Sequence, residues 1–209
     1  MAGDTDTVVQ LHDRLIISSG RERICYLHPE SEAYVIKIER YRAGKGGGMN
    51  DKEMEGYRLL RKQAAALALI SRCHGFVDTS RGRGLLCDCI RDHDGSVSKT
   101  VWDIILHEEE CDIEAVVGTV RDFCDRLIAG RIWLFDLNPK NIALKRLPDG
   151  RFEAYVIDLK GRSENQELIP VSRYIPYFSL KKLNRRSRQL LTRIEDYRRR
   201  REELKKLDI

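Results

Sequence analysis

The chain has 209 residues, with 38 Lys and Arg residues against 33 Asp and Glu residues, so its formal net charge is +5. Hydrophobic residues make up 42% of the chain, which excludes disorder throughout and predicts one compact domain or two small lobes. No apolar run approaches the ~18–20 residues that a membrane-spanning helix needs, and the acidic start lacks the features of a signal peptide. We therefore expect a cytoplasmic protein whose six cysteines are reduced.

The positive charge is concentrated at the C-terminal end of the chain. Residues 179–209 carry a net charge of +7, whereas residues 1–178 carry −2. A helix that packs its leucines against the body of the protein is the default interpretation of this basic segment. An anionic partner, either nucleic acid phosphates or an anionic membrane surface, is the alternative.

The first half of the chain predicts an antiparallel sheet. Residues 1–10 are expected to be a loose leader. The segments that follow are rich in Ile, Val, Leu and Tyr and are separated by turn-forming residues, which is typical of short strands. The predicted strands cover residues 11–17, 24–28, 33–40, 75–78 and 85–90.

One helix is predicted between the third and fourth of these strands, after a glycine-rich linker at residues 42–49. Asn50 is a candidate N-cap, and Glu53 stands three residues later, as in a capping box. The helix is expected over residues 51–70, because apolar residues recur there at helical spacing. These residues are Met54, Tyr57, Leu60, Ala64 and Leu67.

The second half is predicted to be mainly helical. A helix is expected over residues 98–107, and a longer one over 112–129 has a continuous apolar stripe and a stop signal at Gly130. The chain from residue 174 is expected to be mostly helical. The predicted strands of this half cover residues 131–135, 141–146 and 153–159, of which the last two form a hairpin.

Two polar motifs carry the chemistry of the sequence. The first, LFDLNPKN at residues 134–141, contains Asp136 and Asn141, and the second, VIDLKG at residues 156–161, contains Asp158 after an apolar strand. Carboxylate and carboxamide oxygens are hard ligands, which suit magnesium bound together with the phosphates of a nucleotide. Each of these side chains taken alone could equally make local bonds in a turn.

This pattern resembles the protein-kinase-like fold, in which an Asp and an Asn with four residues between them are followed by a metal-binding Asp. The resemblance implies an α+β, two-lobed structure with an antiparallel-sheet N-lobe and a reduced, mainly helical C-lobe. The fold also requires a lysine on a strand that pairs with a glutamate on a helix. Lys37, in the sequence VIKI, is the candidate for the lysine. Glu53 and Glu55 are the two candidates for the glutamate, and we favour Glu55 because Glu53 has the capping interpretation.

More narrowly, the chain resembles the members of the PhoP regulatory network protein YrbL family, which are small bacterial kinase-like proteins. The similarity covers about residues 15–180. It depends on SGRERICYLHP near the start, VIKI, the helix start NDKEMEGYRLL, LNPKNI, and an Ile-Pro pair at residues 169–170. Leu134 and Phe135 depart from the His and Arg that usually precede the catalytic Asp of protein kinases.

The resemblance implies roles for individual residues. Lys37 would hold the α and β phosphates of ATP, Glu55 would orient Lys37, and Asp136 would position the acceptor hydroxyl or accept its proton. Asn141 and Asp158 would hold Mg²⁺. The remaining nucleotide contacts would come from Gly20 in the cover over the phosphates and from the crossing between the lobes, Asp88, Cys89 and Ile90.

These implications give predicted segment boundaries and two hypotheses on function. The N-lobe would cover residues 11–90, the minimal C-lobe 91–178, and a basic helical extension 179–209. The leading hypothesis is a phosphotransferase that uses ATP and magnesium on an unknown hydroxyl acceptor, which is a sugar, another small molecule or a protein. The alternative is a catalytically inactive nucleotide-binding scaffold whose basic helix binds a partner or nucleic acid.

Overall fold

The computed structural model shows an α+β architecture, which confirms the predicted fold class. A five-stranded antiparallel sheet precedes a part made of helices and one two-stranded hairpin. The residues it describes are 8–40, 48–61, 63–108, 111–132, 137–159 and 176–207, with the side chains of 180–203 in the last range.

The N-terminal sheet has the strand order β1-β2-β3-β5-β4. Its strands are β1 (Ile16–Ser19), β2 (Arg23–His28), β3 (Ser31–Glu39), β4 (Cys73–Thr79) and β5 (Gly82–Asp88). The predicted first strand is wrong over its first half, because Asp13–Leu15 forms a single 3₁₀ turn. Within the predicted leader, the backbone N–H of Val9 donates to the carbonyl of Asp78 at 3.0 Å.

The predicted helix between the third and fourth strands is divided into α1 (Met49–Leu60) and α2 (Ala64–Leu67). Asn50 is not its N-cap. Gly48 occupies that position, and its N–H donates to the Asp51 carboxylate at 3.2 Å. The N–H of Asn50 donates to the Glu39 carboxylate at 2.5 Å, so a side chain from the end of β3 satisfies the first turn of α1.

Each face of the sheet contributes side chains to a hydrophobic core. On one face, Val35 and Leu85 pack against Tyr57 of α1 in the main core. On the other face, Ile36 and Tyr26 form a smaller core that the N-terminal segment covers. Lys37 therefore projects toward α1, because its neighbours in β3 alternate between the two faces.

The C-terminal part contains α3 (Val101–His107), α4 (Ile113–Ala129), β6 (Ile142–Arg146), β7 (Phe152–Val156) and α5 (Pro176–Leu207). The two predicted helices are confirmed, with Thr100 and Asp112 as their N-caps. The predicted hairpin is confirmed as the β6–β7 pair. Arg131 and Ile132 are not in a strand, and residues 133–135 of that prediction lie outside the described residues.

Helix α5 packs against α3 and α4, as the default interpretation of the basic segment predicts. Leu183, Leu190 and Ile194 are buried on its inner side, and the ring of Tyr197 meets Trp102 of α3 edge-on with centroids 4.4 Å apart. No helix in the part of the chain that the structure describes is long and apolar enough to cross a membrane. The inner face of α5 is thus buried against the rest of the protein. Binding of an anionic partner stays a prediction, and it concerns the outer face of the helix.

The packing around Gly84 gives a stability test of the N-terminal sheet. A Cβ atom on Gly84 would lie 2.4 Å from Cγ2 of the buried Ile36. We expect Gly84→Ala to lower the free energy of unfolding by about 1–3 kcal/mol, because the core must be displaced. Gly118→Ala in α4 is the matched control, since, apart from the adjacent backbone of α4 itself, no atom of the described residues lies within 4 Å of its Cβ position. Urea unfolding of both variants checks this, and equal stabilities would contradict the described packing.

Candidate functional site

A buried ion pair lies between β3 and α1. The Lys37 side chain reaches from the middle of β3, and its Nζ donates to Glu53 Oε1 at 2.6 Å and to the Ile157 carbonyl at 2.5 Å. Burial is the largest single effect and by itself would lower the pKa of Lys37, but the Glu53 carboxylate together with further negative groups, among them Asp158, raises it. Lys37 is therefore a fixed positive charge at the junction of the two parts of the chain.

The glutamate that pairs with Lys37 is Glu53, so the preference for Glu55 is wrong. Glu53 is only 1% exposed, whereas Glu55 faces solvent on the other side of α1. The capping interpretation that had set Glu53 aside fails as well, because Asp51 makes the capping contact. Glu53 lies one turn before Tyr57 on the buried side of the helix, which aims it at β3.

Arg23, which the sequence analysis did not single out, joins the same cluster. One guanidinium nitrogen forms an ion pair with Glu53 Oε2, and the other lies 2.6 Å from Asp158 Oδ2. Burial would lower the pKa of Arg23, but the two carboxylates together raise it. Arg23, at the start of β2, therefore links two elements through its guanidinium: α1, through Glu53, and the segment after β7, through Asp158.

Asn50 supports this arrangement from within α1. Its Nδ2 donates to the Lys37 carbonyl at 2.8 Å, and its Oδ1 accepts from Arg23 at 3.3 Å. The side chain is buried. Asn50 thus acts as a brace between β3 and the guanidinium, in place of the capping role that its sequence position suggested.

The two predicted magnesium ligands are neighbours in the structure. Asn141 ends a 3₁₀ turn, and its carbonyl accepts from the N–H of Ile157 at 2.9 Å, which places it beside Asp158. The Asp158 side chain is 26% exposed, and a cationic group from Arg23 already lies against it. The backbone thus brings Asn141 and Asp158 close together, and a carboxylate and a carboxamide are the kinds of oxygen donor that Mg²⁺ prefers.

The predicted catalytic Asp136 lies outside the described residues, together with residues 133–135. The chain directly after it is well anchored. Leu137 and Pro139 are buried, and the Lys140 ammonium lies 4.0 Å from the centroid of the Trp102 ring. Since Trp102 also meets α5, the C-terminal helix supports the loop that carries the first motif.

Two further predicted contact regions can be located. Gly20 lies in the turn between β1 and β2, and its N–H donates to the Arg23 carbonyl at 2.9 Å. Asp88 ends β5, and Cys89 and Ile90 follow it toward the C-terminal part. Their backbone already makes internal bonds, including one from Cys89 N–H to the Ala33 carbonyl at 2.7 Å. A nucleotide contact by these residues stays a prediction.

Cysteines line the sheet near the ion pair. Cys25 is the direct cross-strand partner of Lys37, and Cys73 is the cross-strand partner of Cys87. A hydrogen bond from Cys87 lowers the pKa of the Cys73 thiol to about 7, against the opposing effect of burial. The hydrogen bond to Cys73 and burial raise the pKa of Cys87 instead.

Comparison with known proteins gives one family. Residues 9–195 match the model of the family described as PhoP regulatory network protein YrbL. The YrbL protein of Escherichia coli (strain K12) is 30% identical over 182 residues, which cover 85% of this chain and 84% of that protein. YrbL of Shigella flexneri gives the same values.

Solved structures give more distant matches. The crystal structure of WbdD superposes with a TM-score of 0.46 at 18% identity and covers 78% of this chain. The match spans 35% of the WbdD chain, which is under two thirds of its length. The PknI kinase domain of Mycobacterium tuberculosis superposes with a TM-score of 0.40 at 16% identity, over 69% of this chain and 57% of that one.

Proposed function

The chain belongs to the family of the PhoP regulatory network protein YrbL, and from the site it carries we propose that it is a phosphotransferase that uses ATP and magnesium. It would transfer the γ-phosphate to a hydroxyl group of a small molecule, a sugar or a protein. The observation that carries this proposal is the buried Lys37–Glu53 pair beside Asp158.

Stability alone does not explain this ion pair. Taking two charges out of water is costly, and apolar residues of similar size are often as stabilising or more so. Lys37 is 5% exposed, yet its surroundings in β3 are Ile, Val and Tyr. Its bonds to Glu53 and Ile157 use two of the three donors of the ammonium, and a phosphate oxygen would suit the third. The pair is therefore better suited to binding an anion than to holding the core together.

The proposed roles follow from this geometry and from the resemblance to kinases. Lys37 binds the α and β phosphates, and Glu53 fixes its position. Asp158 and Asn141 would hold a magnesium ion, and such an ion would supply positive charge to neutralise the phosphates. Asp136 orients the acceptor hydroxyl and takes its proton. The site would thus act by positioning and charge neutralisation, without a covalent intermediate.

Transfer from γ-labelled ATP tests the proposal. The purified chain is incubated with labelled ATP and Mg²⁺ and with a panel of sugars, phosphorylated and lipid-linked saccharides and proteins. We expect labelled product with at least one acceptor, or slow release of labelled phosphate to water. A chain that binds ATP and gives neither product would contradict catalysis and leave a nucleotide-binding scaffold as the function.

A further inference from the structure

We propose that Arg23 is a phosphate-binding residue that also competes with magnesium for Asp158, so that the metal enters the site together with the nucleotide. This inference rests on the proposed function and adds to it a residue from the cover over the phosphates. Arg23 opens β2, directly after the turn that contains Gly20. In kinases the corresponding turn is rich in glycine and covers the phosphates through its backbone.

The contacts of Arg23 place it inside the site. Its side chain is 10% exposed and lies between two carboxylates that are far apart in sequence, Glu53 and Asp158. A salt bridge to Glu53 alone would be enough to fix α1 onto the sheet. The second guanidinium nitrogen of Arg23, however, lies 2.6 Å from Oδ2 of Asp158, the predicted metal ligand. In this position the guanidinium is bonded to an Asp158 oxygen that would otherwise be available to Mg²⁺.

The charges of the cluster predict what this position does. Among the side chains that the structure describes, Lys37 and Arg23 are balanced by Glu53 and Asp158. A magnesium ion that arrived without an anion would leave two excess positive charges in a mostly buried cluster. Nucleotide phosphates remove this difficulty, because they neutralise the metal and also accept hydrogen bonds from the displaced guanidinium.

The guanidinium group suits this second role. It is planar, always charged, and presents paired donors that match phosphate oxygens. The turn before β2 contains a single glycine, Gly20, so its backbone offers a less open cradle than a glycine-rich turn. A side-chain cation at the end of the turn supplies the phosphate contact that such a backbone lacks.

Arg23→Gln separates the two effects, with Arg21→Gln as the matched control from the same turn. Arg21 is 92% exposed at its side chain and pairs only with the adjacent Glu22 among the described contacts. Two titrations are made on each folded variant: ATP in the presence of EDTA by calorimetry, and Mn²⁺ without nucleotide by electron paramagnetic resonance. These readouts do not depend on catalytic activity.

We expect opposite changes in Arg23→Gln. Its affinity for metal-free ATP should fall by about 10-fold or more, since a charged hydrogen-bond partner is lost. Its affinity for Mn²⁺ alone should rise several-fold, because the Arg23 guanidinium no longer competes with the metal for Asp158. Arg21→Gln should match the wild type in both titrations. A purely structural role of Arg23 would lower both affinities, and that result, or no change in either, would overturn the inference.

A second variant covers a failure of Arg23→Gln to fold. Arg23→Lys keeps the charge but reaches one carboxylate at a time, so we expect nearly normal binding of metal-free ATP and tighter binding of Mn²⁺ than in the wild type. Wild-type affinity for Mn²⁺ in this variant would contradict the inference. A wild-type chain that binds no ATP under any condition would instead contradict the proposed function.

Discussion

Glu53→Gln is expected to lower the free energy of unfolding by about 3–5 kcal/mol, because it leaves Lys37 and Arg23 buried beside a neutral side chain. One carboxylate serves both cations, with an oxygen directed at each. The amide that replaces it has one acceptor oxygen in place of two, places an NH₂ donor where the other oxygen was, and carries no charge. Urea unfolding followed by circular dichroism measures the change in the free energy of unfolding. The same measurement on Lys37→Met gives a comparison, because that substitution removes one of the two buried cations.

Glu55→Gln is the matched control for this prediction. The two positions have the same chemistry and lie two residues apart on α1, but Glu55 is exposed. We expect its stability to stay within about 0.5 kcal/mol of the wild type. Equal effects of the two substitutions would contradict the Lys37–Glu53 pairing.

Asp136→Ala is expected to lower the rate of phosphate transfer by about 10²–10⁴-fold, the usual contribution of a general base or of a group that positions the nucleophile. Binding of ATP should be unchanged, since the phosphates and the metal are held by other residues in the proposed mechanism. Transfer is followed with γ-labelled ATP, and binding is followed by calorimetry. A loss of rate without a loss of binding is the result that assigns Asp136 to the chemical step.

Asp149→Ala is the control for Asp136→Ala. Asp149 lies in the turn of the β6–β7 hairpin, where its carboxylate pairs with Arg151 at 2.6 Å on the surface. Its substitution should leave both transfer and binding unchanged. If Asp136→Ala were as active as Asp149→Ala, the proposed role of Asp136 would be wrong.

The fold was predictable from the sequence where local patterns decide it. Segments rich in Ile, Val, Leu and Tyr between turn-forming residues indicate β2 and β3, and the apolar stripe with its stop signal at Gly130 indicates α4 to within one residue. The predicted helix over residues 51–70 is right for α1 and α2 but wrong at its end, where long-range pairing intervenes. The N–H of Val156 donates to the Leu69 carbonyl at 2.9 Å, so the end of that segment follows β7 and does not continue the helix.

The choice between Glu53 and Glu55 could have been made from helical spacing. Glu53 precedes Tyr57 by four residues and Leu60 by seven, which places it on the buried stripe of α1. Glu55 falls outside that stripe. A competing local pattern favours Glu55, since a capping box beginning at Asn50 explains Glu53 equally well. The position of the first helical residue decides between the two interpretations.

Arg23 illustrates what the sequence could not supply. Its partner Asp158 is 135 residues away, and no local pattern links the two. Only the register of β2 on β3, with Cys25 opposite Lys37, places Arg23 on the same face as the lysine. Knowledge of that register would have identified a second cation at the site.

The most direct test of the account is a calorimetric titration of the purified chain with ATP, with and without Mg²⁺. If Lys37, Glu53 and Asp158 form a nucleotide site, ATP binds the wild type and binds more tightly with Mg²⁺. Lys37→Met should weaken binding by about 10-fold or more under both conditions. Asp158→Asn should remove the gain that Mg²⁺ provides. A folded wild-type chain that shows no binding of ATP in either titration would contradict the account.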